Sequence, residues 1–270
     1  MALTLASIHC YPIKSLGGFS LPEARLTDRG LEHDRRWMLV DDNGVFITQR
    51  EVAAMACLHI APLAPGFRVT DIRTNEAIDL PWQLDNGQEI AVRVFDDALT
   101  ALRADATISA WFTERLGRSM HLVFMPDSSH RLVNPTYAQG ITSLSDGFPY
   151  LILSQASLDD LNARIRSFED PAPDLGMERF RPNLVVAGGE AFQEDGWKEI
   201  MIGAARFALV KPCGRCVIPT TDQRTGERGK EPSRTLASYR KRGNGVYFGM
   251  NAMAMDGGTV RAGDPLSMVM

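Results

Sequence analysis

Two of the four cysteines stand at C-x-x-C spacing in KPCGRCVIPTTDQRTG, a run from Lys211 to Gly226 that places Cys213 and Cys216 three apart. Such a pair can bind a soft metal, cycle as a dithiol, or lie inert in a core. Structural zinc needs two further ligands at chelating spacing, commonly a second C-x-x-C or a paired His. His9, His33, His59, His121 and His130 are isolated, and Cys10 and Cys57 lie far upstream, so the spacing offers no such partners. A thioredoxin-type dithiol sits at a helix N-terminus, where the dipole lowers the thiol pKa. Here VIPTTDQRTG follows Cys216 and reads as strand and turn. On the residues alone a pair of buried thiols is the plainest reading, and one metal-binding thiolate whose remaining ligands a cofactor supplies gains little support from the spacing itself.

The elements that must position these thiols are mostly strands. RRWMLVDDNGVFITQ (Arg35–Gln49) is two apolar runs around Asn43-Gly44, a hairpin signal. AVRVFDD, HLVFM, FPYLILS, PNLVVAG, KEIMIGAARFALVKP and GTVRAGDPLSMVM are short runs rich in Val, Ile and Phe, bounded by Gly, Pro or Asp, and read as further strands. Three helices are expected: ATISAWFTERLG, stopping at Gly117; SQASLDDLNARI, capped by Ser157; and SRTLASYRK, capped by Ser233. The methionines of GMNAMAM read as packing, and Asp222 with Thr225-Gly226 as a turn after the cysteine strand. The fold class is therefore mainly β (α+β), a barrel or sandwich pair, with a boundary near residues 97 to 125.

At 270 residues and 44% hydrophobic the chain can fill sizeable cores. Its net charge is −4 and its Lys and Arg residues are scattered, so no nucleic-acid partner is expected. No run approaches the roughly 18 apolar residues of a membrane helix, and the N-terminus lacks a signal-peptide pattern. A cytoplasmic protein without a membrane partner is the expectation, and four dispersed cysteines are not a disulfide framework.

KPCGRCVIPTTDQRTG and KEPSRTLASYR, taken with YPIKS, DRRWMLV, DGFPYLILSQASLDDLN, RFRPNLVV and GTVRAGDPLSMV, resemble the molybdenum cofactor sulfurase C-terminal (MOSC) domain family. The similarity is greatest to the branch of the bacterial YcbX proteins and the mitochondrial amidoxime-reducing component, and it runs in order from about residue 8 to residue 268. It implies an N-terminal β-barrel domain (residues 1–120) followed by a MOSC domain built on a mixed β-barrel (residues 121–270). It also implies a molybdenum cofactor, molybdopterin, bound between them. The implied activity is reduction of hydroxylamines, amidoximes and N-hydroxylated bases to N–H compounds.

Carried over by position, the resemblance makes Cys216 the molybdenum ligand and Cys213 a companion that is not a ligand. A pterin phosphate requires cations and donors, and the resemblance assigns Lys14, Ser15, Arg35 and Arg181 to it, with Asn183 as a further contact. It also brings in Ser145, Asp146 and Ser154, with Asp146 near the metal as a proton carrier or orienting group. Some relatives carry a ferredoxin-like [2Fe–2S] domain, which needs four organised cysteines. None is visible here, so no intrinsic Fe–S cluster is expected, and a separate electron-donor protein of ferredoxin or flavoprotein type is the expected partner besides the small substrate. The alternative is a delivery module that carries molybdopterin, or a persulfide on Cys216, without reductase activity.

Overall fold

In the strand Ala205–Gly214 the residues Ala205, Phe207 and Leu209 are buried while those between them are part-exposed, the period-two pattern of a strand with one face in a core. A computed structural model describes residues 2–168 and 174–269. Strands of this kind assemble into a nine-stranded sheet. Its path runs Phe19–Leu21, Thr4–Cys10, Leu184–Ala187, Tyr150–Ser154, Gly245–Ala254, Ala205–Gly214, Glu199–Ile202, Leu266–Met268, with Lys241–Arg242 paired beside it. Tyr150–Ser154 and Leu184–Ala187 pair in parallel, and the helix α2 (Gln155–Phe168) begins the crossover that a parallel pair requires. The expected barrel is not fully laddered. Thr4–Cys10 and the last strand meet at one bridge, Thr4 to Pro265, supported by Leu5 N–H donating to Asp264 O (2.8 Å) and Leu266 N–H to Leu3 O (2.9 Å).

A second group of strands packs around Trp37, Phe67, Phe112 and Phe124. It holds the sheet of Trp37–Val40, His121–Phe124, Asp97–Arg103 and Gln88–Val94, and the three-stranded meander of Leu58–Leu63, Gly66–Asp71 and Glu76–Pro81. The helix α1 (Ala106–Leu116) packs against it, stopped by Gly117 in the left-handed region as its sequence predicts, and capped by Asp105. Strands do not segregate along the chain at residue 120. Thr4–Cys10 lies in the large sheet, and Glu23–Thr27 pairs with Gly258–Arg261.

Several local expectations need correction. The Asn43-Gly44 turn forms, but its returning limb makes isolated bridges, Val40 to Phe46 and Val45 to Arg93, while Trp37–Val40 ladders with His121–Phe124 about eighty residues away. The cap of α2 is Ser154, whose Oγ accepts from Ser157 N–H at 3.1 Å. In α3 (Ser233–Tyr239) the first-turn amide of Thr235 is met by the Glu231 carboxylate (3.1 Å), and Ser233 is already helical. After Cys216 the chain makes a 3-10 turn, Ile218–Thr220, instead of a strand, because Val217 turns into the right-handed helical region ahead of Pro219. Gly245–Ala254, interrupted by Gly249, is a central strand that its composition conceals; Met250 and Met253 are buried on it, as packing requires, while Met255 is exposed. Among the described residues no helix is long and apolar enough to cross a membrane.

The loop after Thr4–Cys10 lies where the two strand groups meet. Lys14 N–H donates to Trp37 O (2.8 Å) and Gly17 N–H to Leu58 O (2.9 Å), which ties the loop to the second group. Gly18 has no room for a side chain: a Cβ there would stand 2.3 Å from the Tyr11 ring and 2.6 Å from Cys10 O. Gly18→Ala must therefore displace Tyr11 or the backbone, and a loss of about 1–3 kcal/mol is expected from overpacking. Equilibrium urea denaturation measures it, and a midpoint equal to the parent's would contradict this account.

Candidate functional site

The strand Ala205–Gly214 breaks register with Gly245–Ala254 twice, between Leu209 and Lys211 and between Pro212 and Gly214. Bulges of this kind bend a strand end and re-aim its side chains. Here they turn Cys213, Arg215 and Cys216 into a cleft of about 770 Å³ of empty space, counting its open mouth. Arg215 N–H is held on Val246 O (2.7 Å), and Ile218 N–H donates to Cys216 Sγ (3.5 Å), so the 3-10 turn presents a backbone donor to the thiol. Burial pushes the Cys213 thiol up, against the pull of Arg215.

The lining is cationic. Lys14, Arg35, Arg50, Arg179, Arg181 and Arg215 line the cleft, against the single acid Asp146 among its lining residues. Three of the sequence-predicted contacts, Ser15 (φ 66°), Arg35 (47°) and Arg181 (55°), hold left-handed backbone that costs a non-glycine residue about 1–3 kcal/mol. The guanidinium groups of Arg35 and Arg181 both lie over the Tyr11 ring, at 4.5 and 4.3 Å from its centroid. Arg35 donates to Asp34, Asn183 Oδ1 (2.9 Å) and Arg181 O (3.1 Å). Burial opposes its charge and Asp34 outweighs that, so its pKa is raised. Arg181 is ion-paired with no carboxylate among the described residues; burial, then Arg35, brings it down to about 10. Arg181 donates to Leu16 O with one terminal nitrogen, and its other has no partner among the described residues.

Lys14 is buried and donates to Leu144 O (2.8 Å) and Asp146 Oδ1 (2.6 Å). Burial brings its pKa down to about 8, with Asp146 resisting. Asp146 also accepts from Arg50 (2.5 Å). Desolvation works to raise its pKa, and the two cations override this and hold the carboxyl well below the usual carboxylate range. Arg50 reaches both Asp146 and Cys216, and its charge is favoured by them over the cost of burial. The buried Arg131 supports the segment from behind, donating to the carbonyls of Ser145 and Asp146.

The cleft brings together Cys216, Asp146, Lys14, Ser15, Arg35, Ser145, Arg181 and Asn183. Ser145 and Asn183 are satisfied within the protein. Ser145 donates to Phe148 O (2.8 Å), and Asn183 ties Arg35 and the Leu151 amide to His9 O. Ser154 is not part of the cleft. It is buried at the start of α2, where it donates to Glu194 (3.0 Å). Tyr11, Arg50, Arg131, Arg179 and Arg215 escaped sequence reasoning as site residues. Tyr11 and Arg215 lie inside YPIKS and GRC, whereas Arg50 and Arg131 carry no local signal.

Fold and cleft together define a β-rich protein with a cationic cleft beside a thiol. Residues 2–119 match the MOSC N-terminal beta barrel domain family and residues 139–267 the MOSC domain family. The chain is 33% identical to Mitochondrial amidoxime reducing component 2 of Rattus norvegicus, over 97% of this chain and 82% of that protein. It is 28% identical to Mitochondrial amidoxime-reducing component 1 of Homo sapiens, over 98% and 83%. A Molybdenum cofactor sulfurase of Oryza sativa subsp. japonica is 32% identical over 91% of this chain, which spans about a third (32%) of that longer protein. The chain belongs to the MOSC-domain family.

The Lys14 value carries a pH prediction. Because it lies below that of a free lysine, the unfolded chain binds the extra proton above about pH 8, and ligand-free stability contributed by this group rises with pH there. Anion binding runs the other way, since it favours the charged amine. The affinity of cofactor-free protein for sulfate should fall up to about tenfold from about pH 7 to about pH 9, and Lys14→Arg should flatten the fall. Calorimetric titration with sulfate checks it; an affinity that falls equally in both proteins would contradict it.

Proposed function

We propose that the protein is a molybdenum-cofactor-dependent reductase that converts N-hydroxylated compounds, such as hydroxylamines, amidoximes and N-hydroxylated bases, to N–H products with electrons from a separate donor protein. The observation that carries this reading is the set of unpartnered buried donors. Among the described residues Arg50 Nη1, Arg181 Nη2 and Arg215 Nη2 are buried and meet no hydrogen-bond acceptor, and all three residues line the cleft that holds Cys216. Leaving such donors unmet is costly, so the cleft fits a ligand that brings several acceptor oxygens and a soft metal. A molybdopterin phosphate and its metal are such a ligand. Among the described residues no three His, Cys, Asp or Glu side chains converge on a metal site, which fits a metal held chiefly by its own cofactor, with Cys216 as the protein's ligand. The amidoxime-reducing names of relatives matched nearly end to end support the reaction class.

When bound, the molybdenum centre supplies the two-electron reduction of the N–O bond, N–OH + 2e⁻ + 2H⁺ → N–H + H₂O. Cys216 anchors it, with its sulfur facing Arg50 and the Ile218 amide. Arg35 and Arg181 hold the pterin and phosphate end, fixed against Tyr11. Asp146, kept ionised, aims Lys14 and Arg50 into the cleft. Lys14 Nζ, with its pKa near 8, carries a proton that it can surrender near neutral pH.

The similarity to the sulfurase supports a second reading, in which the chain delivers the cofactor and Cys216 carries a persulfide. Activity separates the two. Holo-protein with reduced viologen should reduce a model amidoxime, and Cys216→Ser should lose more than the roughly 10–100-fold typical of disturbing a metal ligand's support. Cys213→Ser, a change in the cleft wall, should cost about 1 kcal/mol of stability and keep most activity. Rates normalised to bound pterin test this, and equal loss in both variants would contradict a single-thiolate ligand. A persulfide mass increment on Cys216 with no reduction would instead favour delivery.

A further inference from the structure

The two-residue turn between Gln88–Val94 and Asp97–Arg103 holds Phe95 at φ 55°. Positive φ is confined to its first residue, the position at which a tight hairpin of the II′ kind takes glycine. A bulky aromatic residue is a genuine outlier there. The ring is also 41% exposed, so it is not placed to fill a core. Strain kept at an exposed apolar residue points to a use for the ring.

Its surroundings show what that use is. The ring packs on Phe46 (4.7 Å between centroids) and covers Lys14 (5.6 Å) and Arg50 (5.5 Å), two cations of the cofactor cleft. Phe95 lines an outer groove of about 1190 Å³ of empty space, open to solvent. Asp146, Gly147 and Phe148 line both the groove and the cleft, so the two spaces share a wall. Beyond Phe148 stands Tyr137, edge-on to it at 6.3 Å and covered by Lys211 Nζ at 4.2 Å. Arg131, also in the groove, is paired with Asp97. A molecule whose reacting end enters the cleft past Asp146 has this groove beside it for its body, with the Phe95 ring in the groove's lining.

We infer that the outer groove is the recognition site for the body of the substrate and that Phe95 is a specificity-determining residue, selecting N-hydroxylated compounds in which the N–OH carbon bears a planar aromatic ring. This rests on the reductase reading for the identity of the reacting group, but the groove and its ring do not depend on turnover.

The test is binding without a donor, so that nothing is reduced. Holo-protein is titrated calorimetrically with benzamidoxime and with acetamidoxime, which share the reacting group and differ in the ring. Wild type should prefer benzamidoxime, and Phe95→Gly should lower that affinity ratio about tenfold. The glycine suits the turn, so its unfolding temperature should be at least that of wild type. Phe95→Trp, which keeps an aromatic face, should retain the preference. A ratio unchanged by the glycine variant, absent in wild type, or lost equally in the tryptophan variant overturns the inference and leaves the ring as a cover for Lys14 and Arg50. Viologen-driven turnover is read separately. Ring-dependent binding without reduction would leave this site standing and remove the reductase reading; reduction with a ratio indifferent to Phe95 would do the reverse.

Discussion

The arrangement depends on one electrostatic constraint: six basic side chains converge on a cleft lined by one acid, in a chain whose overall net charge is −4. Like charges gathered at low dielectric repel, and each must be met by a counterion, an aromatic face or a carbonyl. The protein meets part of the demand. Asp34, fully buried, accepts from both Arg35 and the Tyr11 amide, and thereby fixes the aromatic ring on which Arg35 and Arg181 stack. Asp146 does the same for Lys14 and Arg50, and Asp222 for Arg179. What is left over is a positive remainder in which three guanidinium nitrogens face no acceptor among the described residues. An anionic ligand, as proposed above, would complete the balance.

The same constraint accounts for the strained backbone. Ser15, Arg35 and Arg181 come from three segments far apart in sequence, yet each takes left-handed φ at the cleft. The surrounding hydrogen bonds over-determine them: Arg35 N–H on Tyr11 O, Leu144 N–H on Arg35 O, and Gln49 Nε2 on Ser15 O. Such strain persists where a packed frame enforces it, and here the frame is the junction of the large sheet with the Trp37 core. Stability is given up locally, and a preorganised set of donors is gained.

Much of this was legible in the sequence, for identifiable reasons. Alternating apolar residues mark Glu199–Ile202 and Ala205–Gly214, and Gly117 marks the end of α1, because these signals are local. Family motifs place Cys216, Lys14, Arg35, Arg181 and Asp146 in one cleft, since each lies inside a run that itself resembles the family. Ser154 illustrates the opposite case. A serine at a strand end beside site motifs looks like a cofactor contact, but the helix cap and the buried Glu194 take its hydroxyl. Arg50 and Arg131 were invisible because their importance comes from long-range pairing with a loop almost a hundred residues away for Arg50, and from carbonyls fourteen and fifteen residues on for Arg131. Gly245–Ala254 was concealed by its glycines and methionines, although it is the strand on which the cysteine-bearing one is registered.

The central claim is that the unbalanced cations and the Cys216 thiol exist to hold one anionic metal cofactor. The most direct measurement is elemental analysis for molybdenum together with oxidised-pterin fluorescence, on protein freshly purified from cells able to make molybdopterin. The account predicts near-stoichiometric molybdenum and pterin in the wild type, and pterin that falls when Arg181 is replaced by alanine. Stoichiometric zinc with no pterin would contradict it.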